Sequence, residues 1–235
     1  MFKIALTAGH YLETPGKRCL KSLDPKETRE WVLNDRIADK IEQKLKAYDG
    51  YALIRTDDTT GKKDISLTAR TNAANNFKAD FYLSIHHNAG INGGNGGGIV
   101  AYVYPGVDEE TKAWQRDLYE ALIAKTGLKG NRSNPLKESN LHEVRESHMS
   151  AVLLELGFMD SKTDVPKILT EEYAEQCADA IVGVLARKGK LTKKVEGGKL
   201  YRVQVGAFGK YSNAVAYKEQ VEAAGFDAVI VETDA

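Results

Sequence analysis

Only five histidines occur in this 235-residue chain, and two of them are adjacent, in "FYLSIHHNAG" (Phe81 to Gly90). His10 closes "FKIALTAGH", and His86 and His87 close the apolar run before them. Glu30 opens "EWVLNDRIADKI", and Glu155 lies inside "VLLELGF". Two imidazoles and one carboxylate form a common catalytic zinc set, with the fourth position open to water. A carboxylate that is not a ligand can then serve as general base and acid. His10, Glu30 and His86 fit the first role, and Glu155 fits the second. Leu153, Leu154, Leu156 and Phe158 surround Glu155 in sequence, so it would be costly to bury without a partner. Desolvation should raise its pKa, and a nearby metal or cation would oppose that rise.

Each of these residues also has an ordinary reading. A single histidine after a strand is usually structural or solvated. A glutamate at a helix start is favoured by the helix dipole. His142 and His148 flank a loop, where surface histidines are the rule. The glycines between 93 and 98 lack the Lys-Ser/Thr ending of a phosphate loop and do not open a helix. They are expected to form a flexible hairpin near the cleft.

To bring such residues together, the chain needs strands whose ends meet. Mostly apolar runs predict strands at "FKIALTAGH", 51–56, 79–88, 99–104 and "SAVLLELGFMD". Charged segments with helical apolar spacing predict helices at 29–45, "ISLTARTNAANNF", "DEETKAWQRDLYEALIAKTG" (with Gly127 as its stop) and "EEYAEQCADAIVGVLARKG". The alternation implies an α/β fold, a mostly parallel twisted sheet flanked by helices. In such sheets ligands bind at the carboxyl ends of the strands. His10 and His86 share that crevice if their strands are near neighbours, and Glu30 can reach it from the first long helix. Residues 1–189 read as one domain and the basic, glycine-containing 190–199 as a linker. Residues 200–235 read as a small C-terminal β-α-β unit.

Lys plus Arg balance Asp plus Glu at 33 each. Zero net charge argues against a general electrostatic grip on nucleic acid. No apolar run is long enough to cross a membrane. "MFKIALTAGH" is interrupted too early to be a signal peptide, so synthesis in the cytoplasm is expected. Cys19 and Cys177 form no disulfide framework or metal motif, which fits a reducing compartment.

Together, "LTAGH", "ETREWVLNDRIADKI", "ISLTARTNAANNFKADFYLSIHHNA" and "MSAVLLELGFMD" resemble the zinc-dependent N-acetylmuramoyl-L-alanine amidases of the amidase_3 type, over residues 1–188. The resemblance implies zinc on His10, Glu30 and His86, with Glu155 as the catalytic carboxylate. It implies a peptidoglycan hydrolase that cuts the amide between N-acetylmuramic acid and L-alanine of the stem peptide. His87 then lies behind the ligand or in the cleft wall, and Arg145 falls in the cleft. "YLETPGKRC" after His10 departs from the family pattern, and Glu13 and Glu27 compete with Glu30 as the carboxylate ligand. The tail "YRVQVGAF…NAVAYKEQVEAAGFDAVIV" resembles half of a SPOR domain, a peptidoglycan-binding module, so 200–235 could bind wall or pair two chains as a homodimer. A zinc peptidase or carboxypeptidase acting within the stem peptide, or a catalytically silent wall-binding protein, remain alternatives. The expected setting is release onto the wall in the manner of a phage or prophage endolysin, or lysis by a sporulating mother cell.

Overall fold

The computed structural model describes residues 1–194, 204–226 and 228–232. Three strands form the middle of a sheet: β1 (Phe2–Ala8), β4 (Phe81–Asn88) and β7 (Ser150–Phe158). They are buried along most of their length, which is why they read as near-continuous apolar runs. β3 (Tyr51–Arg55) lies outside β1, and β5 (Ile99–Val103) and β6 (Leu136–Glu138) complete the order β3-β1-β4-β7-β5-β6. Four of the five pairings are parallel, and β5 runs antiparallel to β7. The sheet is therefore mixed but mostly parallel, as the strand–helix alternation implies. After β1 the chain adds β3 on one side and then β4 on the other, so the β1–β4 boundary is a topological switch point.

Helices cover both faces. One layer holds α1 (Glu30–Leu45), α3 (Glu109–Thr126) and α6 (Glu171–Lys188). Leu33, Ile37, Ile41 and Leu45 of α1 recur at helical spacing and join the main core with Leu6, Phe81, Leu83 and Ile85. Asp108 caps α3 by accepting from the Thr111 N–H, Thr170 caps α6 through the Tyr173 N–H, and Gly127 ends α3 at φ 64°. The other layer holds α2 (Leu67–Phe77) and the short α4 (His142–Arg145), over a smaller core that includes Tyr82, Val144, Ala151 and Leu153. A second four-residue helix, α5 (Val165–Ile168), follows β7.

The glycine-rich stretch before β5 is pinned rather than a flexible hairpin. Asp160 Oδ2 accepts from the N–H groups of Gly90, Ile91 and Asn92 at 2.7–2.8 Å. Asp164 Oδ2 accepts from Gly98 N at 2.7 Å and Phe158 N at 2.9 Å, and Asn131 Oδ1 accepts from Gly97 N at 3.1 Å. Gly97 has φ 112°, and a Cβ there would collide with Asp164 Oδ2.

The first compact unit runs to Lys194, not 189. A two-residue strand, β2 (Tyr48–Asp49), pairs antiparallel with β8 (Thr192–Lys193), and Leu191 packs on the main core. Residues 195–199 of the expected linker lie outside the described residues. The second unit spans residues 195–235, and its described part contains one helix, α7 (Tyr211–Ala223). Residues 204–208 and 228–232, expected as strands, are not strands; Tyr201 and its neighbours to 203 lie outside the described residues. The physical reason is pairing: Val and Ile favour strands only where a neighbouring strand accepts their backbone groups.

Candidate active site

Gly9 and His10 follow directly on β1, and His10 has a left-handed φ of 68°. Three contacts fix this turn. Arg70, 2% exposed, donates from Nη2 to His10 O at 2.8 Å and from Nη1 to Ala8 O at 2.6 Å. Asn34 Nδ2 donates to Gly9 O at 3.1 Å. Gly9 is required for space, because a Cβ there would overlap the His86 ring.

His86 lies near the end of β4, beside the strand that His10 follows. The two rings meet edge to face, with centroids 5.0 Å apart. Glu30, at the first turn of α1, reaches between them. Its Oε1 is 3.1 Å from His86 Nδ1, and its Oε2 is 3.4 Å from His10 Nε2. One ligand atom from each of His10, Glu30 and His86 lies within 4.8 Å of the others. Glu13 is exposed, and Glu27 pairs with Arg18 at 3.1 Å and Lys21 at 3.9 Å, so neither joins this cluster.

Glu155 pairs in register with His86 across the parallel β4–β7 ladder, so both side chains leave the same face of the sheet. Its Oε2 is buried without a hydrogen-bond partner. Burial pushes its carboxyl up to about 7, against the pull of His86. Burial also opposes charge on Glu30, but His86, His10 and Lys17 outweigh it and hold that carboxyl at about 2. His10 is lowered to about 4, chiefly by burial. Glu30 is thus an anion and His10 a neutral imidazole at pH 7, the forms in which they can ligate a metal.

His87 points to the opposite face of β4. Its Nδ1 lies 2.8 Å from Asn34 Oδ1, and its backbone N–H donates to Glu30 Oε1 at 3.2 Å. It therefore backs the cluster from the α1 side. Arg145 is exposed and bonds Glu146 and Asn140, not a residue of the cluster. His142 approaches Thr71 Oγ1 at 3.3 Å, and His148 is exposed.

Two charged residues at the site were missed by sequence reasoning. Lys17 Nζ is 3.7 Å from Glu30 Oε2, brought there because Glu30 N donates to Lys17 O at 3.0 Å. Glu143 of α4 lies 3.5 Å from His86 Nε2, and is 3% exposed. A signal for Glu143 existed: Tyr82, Ser84 and His86 alternate along β4 and so share one face. A polar stripe on a buried strand demands a polar partner above it.

Glu30 Oε2, buried without a hydrogen bond, and the converging imidazoles test whether a metal fits. A nitrogen–oxygen donor set with one carboxylate suits zinc.

The profile of the Amidase_3 family, described as N-acetylmuramoyl-L-alanine amidase, matches residues 4–187. The SPOR domain profile matches residues 174–232, of which 174–188 lie in α6. The N-acetylmuramoyl-L-alanine amidase CwlM of Bacillus licheniformis is 38% identical over 182 residues, covering 77% of this chain and 67% of that one. The sporulation-specific N-acetylmuramoyl-L-alanine amidase of Bacillus subtilis (strain 168) is 36% identical over 187 residues, 80% of this chain and 69% of that one. The crystal structure of an N-acetylmuramoyl-L-alanine amidase from Clostridium difficile 630 superimposes with a TM-score of 0.70 at 27% identity, covering 79% of this chain and 95% of that one.

Proposed function

This chain belongs to the N-acetylmuramoyl-L-alanine amidase family, and we propose that it hydrolyses the amide joining the lactyl group of N-acetylmuramic acid to L-alanine of the peptidoglycan stem peptide. His10, Glu30 and His86 hold zinc, and Glu155 is the general base and acid. The observation that carries this reading is the pairing of two arrangements. A buried Glu30 oxygen without a hydrogen-bond partner faces two imidazoles, and a carboxylate whose Oε2 also lacks a hydrogen bond stands in register with one of them.

Zinc held by His10, Glu30 and His86 would supply a Lewis acid for the scissile carbonyl and lower the pKa of a bound water to about 7. Glu155 takes a proton from the attacking water and returns it to the leaving amine of L-alanine. Its burial raises its proton affinity in the metal-free chain, and bound zinc would draw it back down. Arg70 and Asn34 hold the Gly9–His10 turn, so His10 is presented without a search over loop conformations.

Mass spectrometry of purified wall after digestion tests the reaction. New L-alanine amino termini, with intact muramic acid, are expected. A different new amino terminus identifies a stem-peptide peptidase and overturns this reading, and no release identifies a silent binder. Metal analysis of the purified chain should find one zinc.

We propose also that the tail engages the wall and pairs two chains. The SPOR match supports wall contact. Val205, Phe208, Phe226 and Val229 are exposed, by 43–85%, and a second copy could cover them. Of the two settings, a sporulating cell is favoured over a phage lysin by the sporulation-specific relative.

A further inference from the structure

We propose that Glu143 is a positioning residue that fixes the proton of His86 on Nε2 and so leaves Nδ1 free for the metal. This rests on the zinc reading above.

Glu143 sits on a four-residue helix, yet it is almost fully buried. Its Oε1 accepts from Tyr82 Oη at 2.7 Å, and its Oε2 accepts from Ser84 Oγ at 3.0 Å. Both donors lie on β4, on the face that carries His86. Oε2 also lies 3.5 Å from His86 Nε2, a buried atom that has no hydrogen-bond partner, so Glu143 is the carboxylate placed to take its proton. On the opposite side of the same ring, Nδ1 faces Glu30 Oε1 at 3.1 Å. The imidazole of His86 is thus held between two carboxylates from opposite helical layers, Glu30 from α1 and Glu143 from α4.

The two carboxylates are not equivalent. Glu30 meets His10 as well, so the donors of a metal site converge on its side of the ring. Glu143 meets only hydroxyl donors and His86. A neutral imidazole carries one proton and one lone pair. With the proton on Nε2, Glu143 accepts it and the lone pair on Nδ1 points at the convergence of His10 and Glu30. With zinc between His10 and Glu30, the Nδ1 lone pair meets the metal instead of the Glu30 anion 3.1 Å away; the other tautomer would put an N–H at the metal and set the Nε2 lone pair against a buried carboxylate. Metal-bound histidines commonly give their second N–H to a carboxylate, which orients the ring and strengthens it as a ligand. The Tyr82 and Ser84 hydroxyls do the corresponding service for Glu143, holding both of its oxygens.

The test uses the full chain loaded with zinc and labelled with 15N-histidine. In the wild type, the nitrogen spectrum should show His86 protonated on Nε2, with a slowly exchanging N–H shifted downfield by the carboxylate. Glu143→Gln should still bind one zinc but about 10–100-fold more weakly in competition with a chelator, and its His86 N–H should move upfield. Tyr82→Phe, which only loosens Glu143, should show a smaller loss in the same direction. A wild-type spectrum with the proton on Nδ1 overturns the proposal, even if Glu143→Gln does not fold. So does unchanged zinc affinity in a folded Glu143→Gln. Complete loss of zinc from a folded Glu143→Gln overturns it differently, by making Glu143 a ligand. A wild type that binds no zinc removes the metal reading itself and this inference with it.

Discussion

Helices α6 and α7 look alike as sequence, charged segments punctuated by Ala and Val, but they end in opposite conditions. α6 buries nine residues, Tyr173, Ala174, Cys177, Ala178, Ala180, Ile181, Val182, Val184 and Leu185. α7 buries none. The difference is what surrounds them. α6 packs against α1 and α3 over a completed sheet, whereas the described residues around α7 include no strand. A cluster that brings three candidate donors within 4.8 Å of one another is built in the first setting, where side chains borrow rigidity from packed layers. The second setting suits a surface that is completed by something else.

That contrast predicts the largest effect at Gly9. Gly9→Ala should displace the His86 ring and abolish both zinc binding and hydrolysis, a loss on the order of 10³-fold or more. Val229→Asp in the tail should leave hydrolysis of small soluble muropeptides unchanged. Equal losses from the two substitutions, measured on the same muropeptide, would mean that the units do not divide the labour in this way.

Glu155→Gln comes next. The variant should keep one zinc and its melting temperature, and lose activity by on the order of 10² or more. His87→Ala marks the contrast within a single dipeptide. It removes the contact to Asn34, so stability should fall, but most of the zinc should stay. Zinc lost with His87 and kept without His86 would reverse the ligand assignment.

The residues in these tests were legible because strand ends mark sites in open α/β sheets. That rule singles out His10 and His86; Glu155 stood out as a carboxylate inside an apolar strand and Glu30 by its position at the start of the helix after His10, and the family resemblance joined them into one site. The pieces that were not legible depend on contacts distant in sequence. Glu143 sits in α4, too short to show any periodicity. Lys17 is carried to Glu30 by a loop with no pattern of its own. Arg70 was visible as a residue, but its bonds to Ala8 and His10 cross 62 and 60 positions. The tail strands were misread for the same reason in reverse: local Val and Ile content was taken without the partner strand it requires.

Burial of Glu155 gives a smaller effect, on stability. In the zinc-free chain its folded pKa of about 7 lies above the ordinary 4.5. The folded state therefore keeps a proton that the unfolded state has released between those values. Stability from this group is lost as pH rises from about 4.5 through 7, by on the order of 3 kcal/mol in all. Glu155→Gln removes the titration. Urea unfolding in chelator at pH 5 and pH 8 should show the variant gaining on the wild type at the higher pH. A difference that stays constant between the two pH values would show that the carboxyl is not held high.

The smallest effect is expected in α7 and is the most informative about the tail. Ala214, Val215, Lys218 and Val221 are half-buried and recur at helical spacing, so they form the one partly covered face of that helix. In an isolated chain this face can collapse around a deletion, so Val221→Ala should cost under about 1 kcal/mol. Ile181→Ala in α6, fully buried, should cost about 2–5 kcal/mol. If a second chain covers the exposed Val229 and Phe226, a charge there acts on association instead of on folding. Light scattering should then give a dimer for the full chain, and a monomer both for Val229→Asp and for a version ending at Lys194. Monomers throughout at micromolar concentration would end the pairing proposal. The tail's exposed apolar residues would then have only the wall left to meet, and a pull-down with purified peptidoglycan should retain the full chain more strongly than the version ending at Lys194.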